Sequence, residues 1–136
     1  MPSKAVYDAV KARLDENWSD LPVVYPDTWG EGPEDGSAFV AIQFPLASSE
    51  QMSTGAPGAN VWRETGAIRF VVNSIRGEGL VDGLQYCDDL ADLFRGKLFD
   101  GVTTWAPSPP VIDDRGDMGN YQQLSFTVEY QYDLIG

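Results

Sequence analysis

Two clusters of acidic residues in this chain have side chains that could do chemistry. One is formed by Asp113, Asp114 and Asp117, and the other by the adjacent Asp88 and Asp89. A glycosidase uses two carboxyl groups placed on opposite sides of the bond it breaks. Neighbouring residues on one turn or one helix surface make poor opposed acids, because they lie on the same side of any substrate. We therefore interpret both clusters as solvated surface.

Other catalytic and metal-binding residue types are scarce. Histidine is absent, which removes histidine-based triads, the common zinc enzymes and the usual general base near neutral pH. Cys87 is the single cysteine, so an internal disulfide and a cysteine-based zinc cage are excluded. We expect Cys87 to be a small buried apolar residue. The sequence predicts no enzymatic activity, no cofactor and no metal.

The charge of the chain bears on its partners. It carries 21 acidic and 9 basic residues, a formal net charge of -12. Binding to a phosphate backbone needs clustered lysine and arginine, and here these residues are scattered. We therefore expect no sequence-specific binding of nucleic acid. No apolar run approaches the ~18 residues that span a membrane, and the amphipathic start is not a signal core, so we expect no membrane contact and cytosolic folding.

Two stretches, residues 3–18 and 80–95, carry apolar residues at helical spacing. Ser3 is the predicted N-cap of the first helix. Polar and charged residues occupy the remaining positions, which is typical of a helix with one face on a core. The predicted buried stripes are Val6, Val10, Leu14 and Trp18 in the first helix and, in the second, Leu80, Leu84, Cys87, Ala91 and Phe94, widened by Leu90 and Gly83.

Alternation of apolar and polar residues predicts three main strands, at residues 38–46, 61–75 and 121–134. A one-sided pattern of this kind is typical of an antiparallel sheet that is covered on one face. The predicted covered positions are Val40, Ile42, Phe44, Leu46, Ile68, Phe70, Val72, Leu124, Phe126, Val128, Tyr130, Tyr132 and Leu134. Shorter strands are predicted near residues 23–25, 98–105 and 111–112, with a hairpin turn at Asp100-Gly101.

These elements predict an α+β fold with a mainly antiparallel β-sheet and two helices packed on one face. A length of 136 residues fits a single domain over 1–136. Residues 48–60 are small and polar, and we expect them to form the loop of a projecting hairpin between the first two long strands. Two alternatives stay open for this loop: a tip that orders on a partner, or a disordered surface loop.

Several segments together resemble the small phage tail terminator and minor tail proteins. An amphipathic helix precedes Leu21-Pro22-Val23, and a glycine-rich excursion leads into a strand with the pattern Arg-x-x-Gly that starts at Arg63. The sequence Gly77-Glu78-Gly79 then precedes the second helix, and a long aromatic-rich strand closes the chain. The resemblance spans nearly the full length through short motifs.

The resemblance implies a structural virion protein, assembled in the host cytoplasm, that forms a homo-hexameric ring in the tail. Such a ring caps the tail tube, stops its polymerisation and joins it to the head–tail connector protein. The implied partners are other copies of the chain, the tail-tube protein and the connector protein. No catalytic residues come with the resemblance. Acidic residues lining the channel of the ring would repel DNA and let it pass.

By position, we expect six residues to contact neighbouring subunits or the tail tube: Trp29, Glu50, Met52, Trp62, Arg63 and Arg69. Trp29 lies in a predicted loop, and the alternative for it is that its indole side chain folds back over the edge of the sheet. Two other functions stay open. One is a tail-tube or head–tail connector subunit, and the other is a monomeric ligand-binding module that uses Trp29, Trp62 and Trp105.

Overall fold

The fold is α+β, as predicted from the sequence, and two helices pack on a mostly antiparallel sheet. The computed structural model describes residues 2–26, 37–75, 80–112 and 121–136. The predicted loop at 26–36, the 76–79 segment and the acidic cluster at 113–117 therefore lie mainly or wholly outside the described residues. The elements in chain order are α1 (Lys4–Asn17), β1 (Val23–Val24), β2 (Phe39–Gln51), β3 (Val61–Ile75), α2 (Leu80–Phe94), β4 (Leu98–Phe99), β5 (Val102–Pro107), β6 (Val111–Ile112) and β7 (Tyr121–Ile135).

The strands form one sheet in the order β1-β2-β3-β7-β5-β4, and β6 also pairs with β7. The pairing of β1 with β2 is parallel, and the other pairings are antiparallel. β3 and β7 pair along their whole length, from Val61 opposite Ile135 to Ile75 opposite Tyr121. This central pair of 15-residue strands carries the rest of the sheet.

Both helices cover the same face of the sheet, which we call the helix face. Alternate residues of β2, β3 and β7 form one core with the buried stripes of α1 and α2. At its centre the Phe70 ring stacks on Phe126 and also contacts Phe94 of α2, with ring centroids 5.0 Å apart in both pairs. The two helices meet where the Arg13 side chain donates a hydrogen bond to the Leu93 carbonyl oxygen at 2.6 Å. The prediction of two helices on one face is confirmed.

The predicted inner stripe of α2 is wrong at its start. Cys87, Ala91 and Phe94 are buried as predicted, whereas Leu80 and Leu84 are 41% and 37% exposed. A methyl group added at Gly83 would lie 2.6 Å from the Leu124 side chain, so this glycine lets the helix approach the sheet closely. Because α2 faces the sheet through Gly83 at this level, the leucines on either side of it are left at the surface.

Cys87 is buried, as predicted, and its environment controls its reactivity. Desolvation, with a smaller contribution from Asp88, raises the pKa of the thiol to about 12. Ionisation of this thiol favours the unfolded chain as the pH rises above 9, because the folded pKa lies above the ordinary one. We expect an aromatic disulfide reagent at pH 8 to label Cys87 about 10²–10³-fold more slowly in the native protein than in urea. Labelling at the same rate in both conditions would contradict this burial.

The predicted position of Leu46 on the covered face is also wrong. Gln43 lies opposite Arg69 and Leu46 lies opposite Ala67, so β2 contains one extra residue at this point. A one-residue bulge moves all later side chains of the strand to the other face. Leu46 is therefore 58% exposed. Pro45 lies in this bulge, where it removes no ladder hydrogen bond, and β2 continues to Gln51.

Candidate assembly surface

One end of the sheet forms a projection, which we call the arm; its base is buried at Tyr130 and paired there with β5, and its tip extends beyond the helices. It comprises residues 46–51 of β2, 61–66 of β3 and 130–135 of β7, together with the loop at 52–60. The sequence predicted a two-stranded hairpin here. The prediction missed the third strand because the pairing of β7 with β3 as far as Ile135 is a long-range contact that local alternation does not reveal.

The loop at 52–60 is shorter than the predicted 48–60, because residues 48–51 belong to β2, and hydrogen bonds connect the residues that remain in it. The Asn60 side-chain oxygen accepts hydrogen bonds from the Ala56 amide at 3.2 Å and the Ser53 hydroxyl at 3.4 Å. The Ser53 hydroxyl oxygen in turn accepts a hydrogen bond from the Val61 amide at 2.8 Å. The Asn60 amide donates to the Gly136 carbonyl at 3.0 Å, which ties the loop to the end of β7.

On the face opposite the helices, charged residues of the arm form a row across its three strands. Glu50 lies opposite Arg63, and Arg63 lies opposite Asp133. The Arg63 guanidinium donates two hydrogen bonds to the Asp133 carboxylate, at 2.9 and 3.1 Å. This two-point geometry fixes both side chains, because guanidinium and carboxylate are both planar forks. The structure therefore brings Glu50 and Arg63 together, as part of an ion-pair row.

Replacing Asp133 with asparagine tests this ion pair. Hydrogen bonds from Arg63 hold the pKa of Asp133 below its ordinary value. Since the folded pKa is the lower one, the stabilisation is present above pH 4 and is lost as the pH falls through the folded pKa. Because the pair is near the surface, we expect Asp133→Asn to lower Tm at pH 7 by up to about 3 °C, and by less at pH 2, where the carboxylate is being protonated. Glu129→Gln, on the exposed part of the same strand, is the control. Thermal melts measure Tm for both variants at each pH. Equal Tm values for Asp133→Asn and Glu129→Gln at pH 7 would contradict the expectation.

The tip of the arm exposes apolar surface. Met52 is 44%, Leu134 is 41% and Ile135 is 65% exposed. Trp62 lies opposite Leu134 on the helix face of the arm, and its indole N–H donates a hydrogen bond to the Gly136 carbonyl at 3.2 Å. These four side chains, which we call the apolar tip, lie beside the loop. Two of them, Leu134 and Ile135, were not predicted as contact residues, because they reach the tip only through the pairing of β7 with β3.

Arg69 lies away from the arm. It is six residues from Arg63 along β3, a distance of roughly 20 Å in an extended strand. Its guanidinium donates hydrogen bonds to the Gln43 side chain at 2.9 Å and to the Ser125 hydroxyl at 3.4 Å. Arg69 therefore links three strands across the face opposite the helices. Trp29, the remaining predicted contact residue, lies outside the described residues.

Glu64 is a buried carboxylate that the sequence analysis did not single out. Only 9% of the residue is exposed, and it lies on the helix face of β3 where the first turn of α1 approaches the arm. Its Oε2 accepts a hydrogen bond from the Tyr130 hydroxyl at 2.7 Å and another from the Ser3 amide at 3.1 Å. Burial, followed by the interaction with Glu64, raises the pKa of Tyr130. Ser3 occupies the predicted N-cap position, but its hydroxyl makes no capping hydrogen bond.

The tryptophans proposed for a ligand-binding module do not converge in the described structure. Trp62 lies on β3 at the level of Leu134, whereas Trp105 follows Thr104 on β5 at the level of Tyr130. The two rings are therefore separated by two strand spacings, roughly 10 Å, and by a further 13 Å or so along the strands. Two aromatic side chains this far apart cannot sandwich one sugar ring or one small ligand.

The described residues contain no group of three metal-ligating side chains close enough to hold an ion. In the same part of the chain, neither helix has the length and apolar character needed to cross a membrane. The acidic positions on α2 that the structure describes, including Asp82, Asp88 and Asp92, lie on its exposed side. They agree with the interpretation of this cluster as solvated surface.

Comparison with known protein families shows which family this chain belongs to. The profile of the phage tail terminator protein family matches residues 5–130, which is most of the chain. The chain belongs to this family. The matched region includes both helices, all of β2 and β3, and β7 as far as Tyr130. Membership supports a structural role in the phage tail, and the family is one of structural rather than enzymatic proteins.

Comparison of structures agrees on the fold. A solved protein structure that carries no functional name aligns with a TM-score of 0.59 over 96% of this chain and 95% of its own, at 16% identity. At this identity the likeness shows a shared fold and says nothing of shared residues. Among proteins with curated function, none matches this chain.

Proposed function

We propose that this tail terminator family member caps the phage tail tube as a homo-hexameric ring and joins the tube to the head–tail connector protein. The observation that carries the proposal is the arm, a projection with an apolar tip and a strand edge that no other described strand pairs with, on a chain of this family. Exposed strand edges and apolar projections are costly on a monomer, because they promote unwanted pairing, and they are typical of assembly surfaces.

A head-to-tail contact between different surfaces of identical subunits generates a closed ring when the rotation between neighbours closes. The arm and the body of the chain provide two such different surfaces. The apolar tip suits contact with a neighbouring subunit or with the tail-tube protein. Arg63, which is already paired with Asp133, serves to hold the arm rather than to bind a separate acidic partner.

The net charge of -12 fits a channel through which DNA passes. Acidic side chains on the lumen wall repel the phosphate backbone, so the DNA is not held there. A strongly acidic neck protein would therefore guide DNA without binding it. This role needs no sequence-specific contact, in line with the scattered basic residues.

The solution mass of the purified protein across a concentration series tests the ring. Light scattering after size exclusion should find a discrete species of about 89 kDa, six times the 14.9 kDa chain. Open-ended growth with concentration would favour a tail-tube subunit instead. A particle with a different fixed stoichiometry would contradict the hexamer, and a protein that stays monomeric even when mixed with tail tubes would contradict the terminator function.

The contribution of the apolar tip is tested by the double substitution Met52→Ser and Leu134→Ser. Both side chains are more than 40% exposed, so the monomer should keep its fold while ring formation or tube binding weakens at least about tenfold. Val111→Ser is the matched control, because Val111 is 64% exposed on β6 at the other end of the sheet. Equal assembly by the double variant and the control would show that the tip is not an interface.

A further inference from the structure

The Glu64 carboxylate faces a groove that opens at the edge of the sheet. The groove is lined by the two residues that precede α1, by three small residues of β2 and by Glu64; its lining comprises Pro2, Ser3, Ala47, Ser48, Ser49 and Glu64. Ala47 and Ser49 lie on the helix face of β2 beside Gly66 and Glu64, and they are too short to cover the carboxylate. Glu64 is therefore reached from the β2 edge.

The donors around Glu64 leave room for a cation. Its Oε2 is occupied by Tyr130 and Ser3, and both donors are neutral. Its Oε1 accepts no hydrogen bond from the described residues, and the hydroxyl oxygen of Ser3, which lines the same groove, is buried without a hydrogen-bond partner. A largely buried carboxylate is best compensated by a positive charge. The described part of the chain places none there.

Among the described residues, Lys97 is the cation that lacks a partner. Of the seven lysines and arginines in the described residues, the other six each contact a carboxylate, an aromatic ring, a side-chain amide or a backbone carbonyl; they are Lys4, Lys11, Arg13, Arg63, Arg69 and Arg95. Lys97 is exposed and has no such contact within the described structure. It immediately precedes β4, the strand at the opposite edge of the sheet from β1 and β2.

Lys97 and the groove lie at the same level of the sheet. The Lys97 carbonyl accepts a hydrogen bond from the Thr104 amide of β5. From Thr104, the residues that lie opposite one another across the sheet are Tyr130 of β7, Gly66 of β3 and Ala47 of β2. Lys97 is two residues before Phe99, whose ring packs on Phe94, so alternation places it on the helix face. Within one subunit the side chains of Tyr132 and Val102 lie between Lys97 and Glu64.

Both edges that a neighbouring copy would join are unpaired among the described strands. β1 covers only Val40 and Ala41 of β2, which leaves residues 43–51 with free backbone groups on the outer side. β4 is the last strand on the other side, and Leu98 within it is 74% exposed. Four successive antiparallel pairings separate β2 from β4, so the two strands run in the same direction. Head-to-tail joining would make a parallel pair.

We propose that the β4 edge of one copy adds to the β2 edge of the next, and that Lys97 enters the groove to bind the Glu64 carboxylate. This proposal rests on the ring proposed above, and it identifies the contact between neighbouring subunits of that ring. If the added strand keeps the level of the sheet, the two Cα atoms lie roughly 12 Å apart, which an extended lysine and a glutamate can bridge. The junction joins two different surfaces, as ring closure requires.

Disulfide trapping tests the junction. In a Cys87→Ala background that keeps Lys97, we expect a Ser48→Cys variant mixed with a Leu98→Cys variant to form a cross-linked dimer on mild oxidation, because the same register places these two exposed positions on adjacent strands with Cα atoms about 5 Å apart. A chain carrying both substitutions should form a ladder of products. The matched control mixes Ser48→Cys with Glu129→Cys, an exposed position on β7. Cross-linking no stronger than in this control would overturn the junction.

Charge substitution supplies a second readout that does not depend on cysteine chemistry. Since Lys97 is exposed, Lys97→Glu should leave the fold of the monomer unchanged by circular dichroism and weaken association at least about tenfold, whereas Lys97→Arg should retain it. A ring that forms equally well with Lys97→Glu would overturn the junction and leave the proposed ring intact. Failure of the natural chain to associate, alone or with tail tubes, would overturn both.

Discussion

Phe70→Ala is expected to lower the free energy of unfolding by about 3–5 kcal/mol. Phe70 is fully buried at the centre of β3, with Phe126 of β7 on one side and Phe94 of α2 close by. Removing its ring takes away contacts that join the sheet to the helix and leaves a cavity that two large rings cannot refill without shifting. The loss is a large part of the 5–15 kcal/mol that stabilises a typical domain.

Urea unfolding followed by tryptophan fluorescence and by circular dichroism measures this loss. Phe70→Leu, which keeps most of the buried volume, should cost less than about 1.5 kcal/mol. Val81→Ala, at a position that is 77% exposed on α2, should change stability by no more than about 0.5 kcal/mol. If Phe70→Ala cost no more than Phe70→Leu, the three rings would not form the packed centre described above.

Local pattern carried most of the fold prediction. The burial of Val6, Val10 and Leu14 follows directly from helical spacing, and the burial of Leu124, Phe126 and Val128 follows from alternation. The Asp100-Gly101 turn was also predictable, because both residues have positive φ values, of 47° and 84°, that this pair of residues adopts readily. These features depend only on neighbours in the sequence.

The errors arose where a distant contact overrides local pattern. The bulge at Pro45 reverses the faces of β2, so Leu46 is exposed although it continues the alternation of Val40 and Ile42. Gly83 was predicted on the inner stripe of α2, but its close approach to Leu124, which leaves Leu80 and Leu84 exposed, was not. Glu64 was missed for the same reason. Its partners Ser3 and Tyr130 are 61 and 66 residues away, and no motif links them.

Gly66→Ala is expected to destabilise the arm, although alanine is normally the better residue in a strand. Replacing a strand glycine by alanine usually stabilises by about 0.5–1 kcal/mol, because glycine loses more backbone entropy on folding. At Gly66 an added methyl group would lie 2.5 Å from the Leu46 carbonyl oxygen and 2.8 Å from the Tyr130 ring. We therefore expect the sign to reverse, with a loss of about 1–3 kcal/mol.

The region that loses stability in Gly66→Ala shows whether the variant disturbs the packing of the arm around Gly66 or the whole fold. Hydrogen exchange should accelerate in residues 46–51, 61–66 and 130–135 before it changes at the phenylalanine cluster. Tyr130→Phe should not rescue Gly66→Ala, because the ring carbon at 2.8 Å and the backbone oxygen at 2.5 Å remain. The Tyr130 hydroxyl also donates a hydrogen bond to Glu64. Displacement of the tyrosine side chain should therefore weaken assembly of the hexamer as well. A Gly66→Ala variant more stable than the natural chain would mean that Tyr130 does not pack over this glycine.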